Sequence, residues 1–121
     1  MSKYNYTLFL LLFLIISCQE IINEENISND TIQLLAPTND AILATKQKIS
    51  FNWEFLSGAT NYQLQIATPN FAAANQIVLD TLIGGNDFAV DSLAAKSYEW
   101  RVKGFNSAFE TAYTSNAFSV E

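Results

Sequence analysis

Residues 32–121 of this chain are expected to fold as an all-β, antiparallel two-sheet sandwich. Three observations lead there. Large side chains recur at every second position in several short runs, clearest where Tyr98, Trp100 and Val102 alternate with Glu99, Arg101 and Lys103, the period of a strand with one buried face. Turn-forming clusters at Ser57-Gly58-Ala59-Thr60, Gly84-Gly85-Asn86-Asp87 and Asn106-Ser107 separate those runs. No segment sustains a helical period, and Ala72, Ala73 and Ala74 support one helical turn and no more.

The elements follow in chain order. Leu8 to Ile16 are nine consecutive apolar residues behind Lys3. A bilayer-spanning helix needs roughly 20, so nine fits the apolar centre of a signal peptide better than a span. Residues 19–31 mix Glu20, Glu24, Glu25 and Asp30 with Asn23, Asn26, Ser28 and Asn29, and their only apolar residues, Ile21, Ile22 and Ile27, keep no sustained period. That composition predicts a flexible acidic spacer. Leu34, Leu35 and Pro37 suggest an opening edge strand, with proline where no ladder donor is required. Ile49, Phe51, Trp53 and Phe55 then alternate with polar residues, Tyr62, Leu64 and Ile66 form a second such run, and Ile77 to Leu82 a third after the break at Pro69-Asn70. Phe88 and Val90, the run from Tyr98 to Val102, and Phe118 and Val120 complete about seven strands. Phe51, Trp53, Phe55, Tyr62, Phe88, Tyr98 and Trp100 are the expected core.

Composition removes several function classes. The chain has 121 residues, no histidine, one cysteine, and 12 acidic against 6 basic residues. An acidic chain has no electrostatic attraction for phosphate backbones, so no nucleic-acid partner is expected. Without histidine there is no imidazole base and no Ser-His-Asp or Cys-His pair, and one cysteine cannot close an intrachain disulfide. No metal and no cofactor is expected. Glu54, Glu99, Asp87 and Asp91 are the carboxylates a glycosidase pair would draw on, and Asn39-Asp40 and Asn86-Asp87 offer calcium-type oxygens. Solvated surface charge and ordinary turn chemistry account for both sets.

Ile15, Ile16, Ser17 and Cys18, placed directly after the apolar run, resemble the lipobox of bacterial lipoproteins. The resemblance implies diacylglycerol on the Cys18 sulfur, cleavage before Cys18, and usually acylation of the new amino group. Several acyl chains, at about 0.8 kcal/mol per buried methylene, then hold the protein on a membrane. It also implies the outer membrane as the location, facing periplasm or cell surface, and the acidic residues after Cys18 loosely resemble a surface-routing signal. On this reading residues 1–17 are the signal peptide, residues 18–31 the lipidated cysteine and tether, and residues 32–121 the folded domain.

The segments LLAPTNDAIL, ISFNWEFLSGATNYQLQIA, TPNF, LAAKSYEWRVKGFN and FSVE, in that order, resemble a bacterial fibronectin type III domain, an immunoglobulin-like sandwich. The resemblance implies a core role for Trp53 beside Tyr62 and Trp100, and makes Tyr98 a corner tyrosine bonded to backbone near Leu93. The loop before it departs from the family in carrying Ala94, Ala95 and Lys96. Such a domain is expected to be no enzyme. It serves as a binding module for a glycan or envelope protein, with Phe109 and Tyr113 as contact candidates, or as a spacer within an envelope complex. Asp30-Thr31-Ile32, Asp80-Thr81-Leu82 and Asp91-Ser92-Leu93 resemble a bacterial O-glycosylation sequon, making Thr31 and Ser92 the candidate acceptors.

Overall fold

The computed structural model describes residues 23–121. Among the described residues, eight strands form two sheets. The three-stranded sheet has the order β1 (Leu34–Ala36), β3 (Ile49–Trp53), β6 (Asp87–Val90). The five-stranded sheet has the order β2 (Ala41–Leu43), β8 (Thr114–Val120), β7 (Ser97–Phe105), β4 (Asn61–Thr68), β5 (Gln76–Ile83). No helix occurs among the described residues, and Ala72 and Ala73 lie in a turn whose Ala73 amide donates to Asn70 Oδ1 at 2.8 Å.

Strand alternation places the core between the sheets. Phe51 and Trp53 enter from β3, Tyr62, Leu64 and Ile66 from β4, Tyr98, Trp100 and Val102 from β7, and Phe118 and Val120 from β8, all buried. The rings meet edge to face, Phe51 with Trp100 at 5.2 Å and Trp53 with Tyr62 at 5.7 Å, while Tyr98 stacks on Phe118 at 5.2 Å. Each such pair contributes about 0.5–1.5 kcal/mol beyond the area it buries. Polar atoms on the rings fix the connections. The Trp100 indole donates to the carbonyl of Pro37 at 3.2 Å, and the Tyr62 hydroxyl accepts the Leu56 amide at 2.8 Å. The Tyr98 hydroxyl donates to the carbonyl of Ala94, one residue past the expected Leu93, closing the corner before β7.

Three features differ from the sequence expectation. First, there is an eighth strand. At the buried Pro37 the chain leaves the three-stranded sheet and crosses to the other, where β2 pairs parallel with β8. All other ladders are antiparallel. Secondly, Phe55 is 68% exposed and outside the core. The strand ends at Trp53, whose amide donates to the Asn86 carbonyl while Asn86 Nδ2 donates to the Trp53 carbonyl. Phe88 is only half-buried. Thirdly, the C-terminal part of the spacer is not a free tether. Ile27 is 0% exposed. Asn106 Nδ2 donates to the Glu25 carbonyl at 2.8 Å and to the Gly58 carbonyl at 3.0 Å, and Ser107 Oγ donates to Glu24 Oε1. Gly58, at φ 90°, is what lets this strap approach, because a Cβ there would stand 2.9 Å from Ile27 Cγ2.

Candidate functional site

The outer face of the five-stranded sheet carries a connected group of polar, charged and aromatic side chains. Register sets them in rows. Gln65 stands between Asp80 on β5 and Arg101 on β7, and Arg101 in turn faces Ser115 on β8. In the next row Gln63 stands between Leu82 and Lys103. Arg101 Nε donates to Gln65 Oε1 at 2.9 Å within its row, and Gln63 Nε2 donates diagonally to Asp80 Oδ1 of the neighbouring row at 2.9 Å.

Arg101 is the centre of this face. Its guanidinium carbon lies 3.8 Å from the centroid of Phe71 and 4.1 Å from that of Tyr113, so the planar cation is held between two rings. Phe71 reaches this position because its amide donates to Glu99 Oε1 at 2.8 Å, drawing the β4–β5 connection over the sheet. Lys103 lies 5.1 Å from the same Tyr113 ring and pairs with Glu110 at 3.1 Å. A half-buried, oriented arginine flanked by aromatics and amides suits contact with a partner, since side-chain freedom is already lost before binding.

The other residues singled out in the sequence lie elsewhere. Ile15, Ile16, Ser17 and Cys18 lie outside the described residues. Trp53, Tyr62, Tyr98 and Trp100 are interior, none of them more than 3% exposed. Tyr113 belongs to the face just described. Phe109, half-buried, sits on the β7–β8 connection, where its amide donates to Asn106 Oδ1. Thr31 and Ser92 are exposed, and Thr81 is half-buried on the inward side of β5. Glu99 lies on the opposite sheet from Asp87. Three open grooves, of about 310, 380 and 270 Å³, are each lined by no more than one carboxylate. Among the described residues no three Asp, Glu, Cys or His side chains come together as metal ligands. Asn39 Oδ1 is taken up by β8, accepting the Ala117 amide at 2.9 Å.

Sequence reasoning missed Arg101 and Phe71 as a pair. Alternation shows that Arg101 points outward, but only the fold brings it under Phe71, thirty positions earlier. Burial raises the Tyr98 phenol above its ordinary 10.0 by disfavouring the charged form.

No family model matches the sequence, and no curated relative is found for it. Solved structures do match. The chain superposes on the fibronectin type III domain of human collagen alpha-1(XX) chain with a TM-score of 0.54 and 16% identity, over 77% of this chain and 88% of that one. The fold is a fibronectin type III sandwich. The crystal structure of FN3tt gives a TM-score of 0.53 at 9% identity, over 74% of this chain and 95% of that one. The fibronectin(III)-like modules of Clostridium thermocellum CbhA give 0.51 at 10% identity, over 74% and 94%. At these identities the likeness concerns the fibronectin type III fold alone, and function is left to the side chains that this chain mounts on it.

Proposed function

We propose that this protein is a lipid-anchored envelope module, without catalytic activity, that meets a protein or glycan partner through the outer face of its five-stranded sheet. Fibronectin type III domains generally serve as non-catalytic binding or spacer modules. The observation that carries the binding reading over the spacer reading is Arg101, fixed between Phe71 and Tyr113 with Gln65 on its Nε. A spacer has no use for an ordered cation on a sheet face, whereas aromatic and arginine side chains recur where interfaces concentrate their energy.

The anchor half of the reading rests on Ile15-Ile16-Ser17-Cys18 following the apolar run. It assigns the protein to the bacterial outer membrane, facing periplasm or cell surface. Metabolic labelling with a palmitate analogue tests it. Label is expected in the intact protein and none in Cys18→Ser, and an unlabelled intact protein would overturn the anchor. For the surface half, the Phe71→Ala and Tyr113→Ala variants are expected to lose the partner while retaining the β-sheet spectrum. Retention of the partner by both would return the domain to the spacer reading.

A further inference from the structure

The strap determines which end of the sandwich carries everything N-terminal to it. The β3–β4 connection, residues 54–60, precedes β4, and the β7–β8 connection follows β7. The antiparallel pairing of Asn61 with Phe105 brings those two connections to one pole. Ala67 paired with Glu99 puts the β4–β5 connection and the residues before β7 at the other. At about 3.3 Å per residue, the eight residues of β4 separate the poles by roughly 25 Å.

Glu24, Glu25 and Ile27 are seated at the first pole. Ile27 is 0% exposed, Asn106 is 7% exposed and spends both protons of its amide on the Glu25 and Gly58 carbonyls, and Ser107 holds the Glu24 carboxylate. Asn106 Oδ1 meanwhile accepts the amides of Ala108 and Phe109, so one side chain ties the strap to both connections. Glu24 lies six positions after Cys18, and six residue steps span at most about 22 Å however they are arranged.

We infer that the pole built from Ser57-Gly58 and Asn106–Phe109 faces the membrane, with the opposite pole directed away from it. The inference rests on the lipid anchor at Cys18. Its consequence is a division of the surface. The short tether keeps Glu24 within about 22 Å of Cys18, so the connections at the strapped pole, including Phe109, lie nearest the bilayer, while the Arg101 face stands sideways and the far pole projects outward. The strapped pole carries Glu24, Glu25 and Glu54 beside a Glu110 paired with Lys103, so its excess charge is acidic and disfavours contact with anionic headgroups. A partner approaching from the aqueous side thus meets the sheet face or the far pole first.

The test uses the full protein, purified as the lipidated form and reconstituted in phosphatidylcholine vesicles with acceptor-labelled headgroups. Ser57→Cys marks the strapped pole and Ala95→Cys the far pole. Both positions are exposed, and an acylated Cys18 takes no thiol label. Energy transfer from the Ser57→Cys donor is expected to exceed that from Ala95→Cys by about two-fold or more, given the separation of the poles. Equal transfer, or greater transfer from the far pole, in protein whose mass shows acylated Cys18 would overturn the orientation alone. A mass without acyl chains would overturn the anchor and the orientation together.

Discussion

Replacing Ile27 by alanine tests whether the domain begins at the strap. The side chain is 0% exposed and packs against Gly58 beside a buried Asn106. Truncating a fully buried isoleucine to alanine costs about 2–5 kcal/mol, the transfer of the lost methylenes plus the cavity left behind. For a domain of this size that lowers the melting temperature by at least about 8 °C. Ile77, an isoleucine of the edge strand β5 that is 49% exposed, is the internal control. Its alanine variant is expected to lose less than about 1 kcal/mol. Guanidinium unfolding followed by tryptophan fluorescence reads both variants, because Trp53 and Trp100 are each 0% exposed and report the core directly. A loss at Ile27 no larger than that at Ile77 would refute the strap and restore a free spacer up to residue 31.

Gly58→Ala is expected to lose more than about 1 kcal/mol, because φ 90° disfavours any Cβ and the added carbon would also press on Ile27 and Glu25; denaturant titration checks it. Arg101→Ala removes two ring contacts and the Gln65 bond and is expected to cost about 1–2 kcal/mol. Arg101→Lys should recover only part of that loss, since an ammonium lacks the planar face that stacks. Tyr98 gives a pH dependence. Its phenol is raised above 10.0 in the folded state, so the stabilisation is fully present below the unfolded value of about 10 and is lost as pH rises through the folded one. The unfolding midpoint should therefore fall above pH ~10. Tyr98→Phe should be less stable at neutral pH by about 0.5–1.5 kcal/mol, having lost the bond to Ala94, and show a shallower alkaline decline.

Strands with one dry and one wet face could be read directly. The run from Tyr98 to Val102 alternates without exception, and β7 buries Tyr98, Trp100 and Val102. The third strand was legible as far as Trp53. Phe55 continues the same alternation and yet is exposed, because the ladder with β6 ends at Asn52 paired with Asp87 and Glu54 turns to bond Gln33 instead. Strand β2 left no signal. Its three residues Ala41, Ile42 and Leu43 are all apolar, so no period is visible, and its partner strand lies more than seventy positions away.

The strap failed for the reverse reason. Ile27 sits among asparagine, glutamate and serine, a composition that reads as solvated chain, and what buries it is Gly58 and a connection eighty residues further on. The Arg101 face shares this character. Each residue is unremarkable alone, and only the pairing of β4 with β7 together with the fold of Phe71 onto Glu99 assembles it. Local pattern thus fixed which side chains face inward, while the outward face was set by long-range register.

Site-specific photo-crosslinking in intact cells tests the contact surface most directly. A photoreactive residue at Ser115 stands beside Arg101 on the five-stranded sheet, and one at Ala89 stands exposed on the three-stranded sheet. A discrete adduct from Ser115 that disappears with Tyr113→Ala, with none from Ala89, is the predicted result. Adducts from Ala89 alone, or Ser115 adducts indifferent to Tyr113, would contradict it.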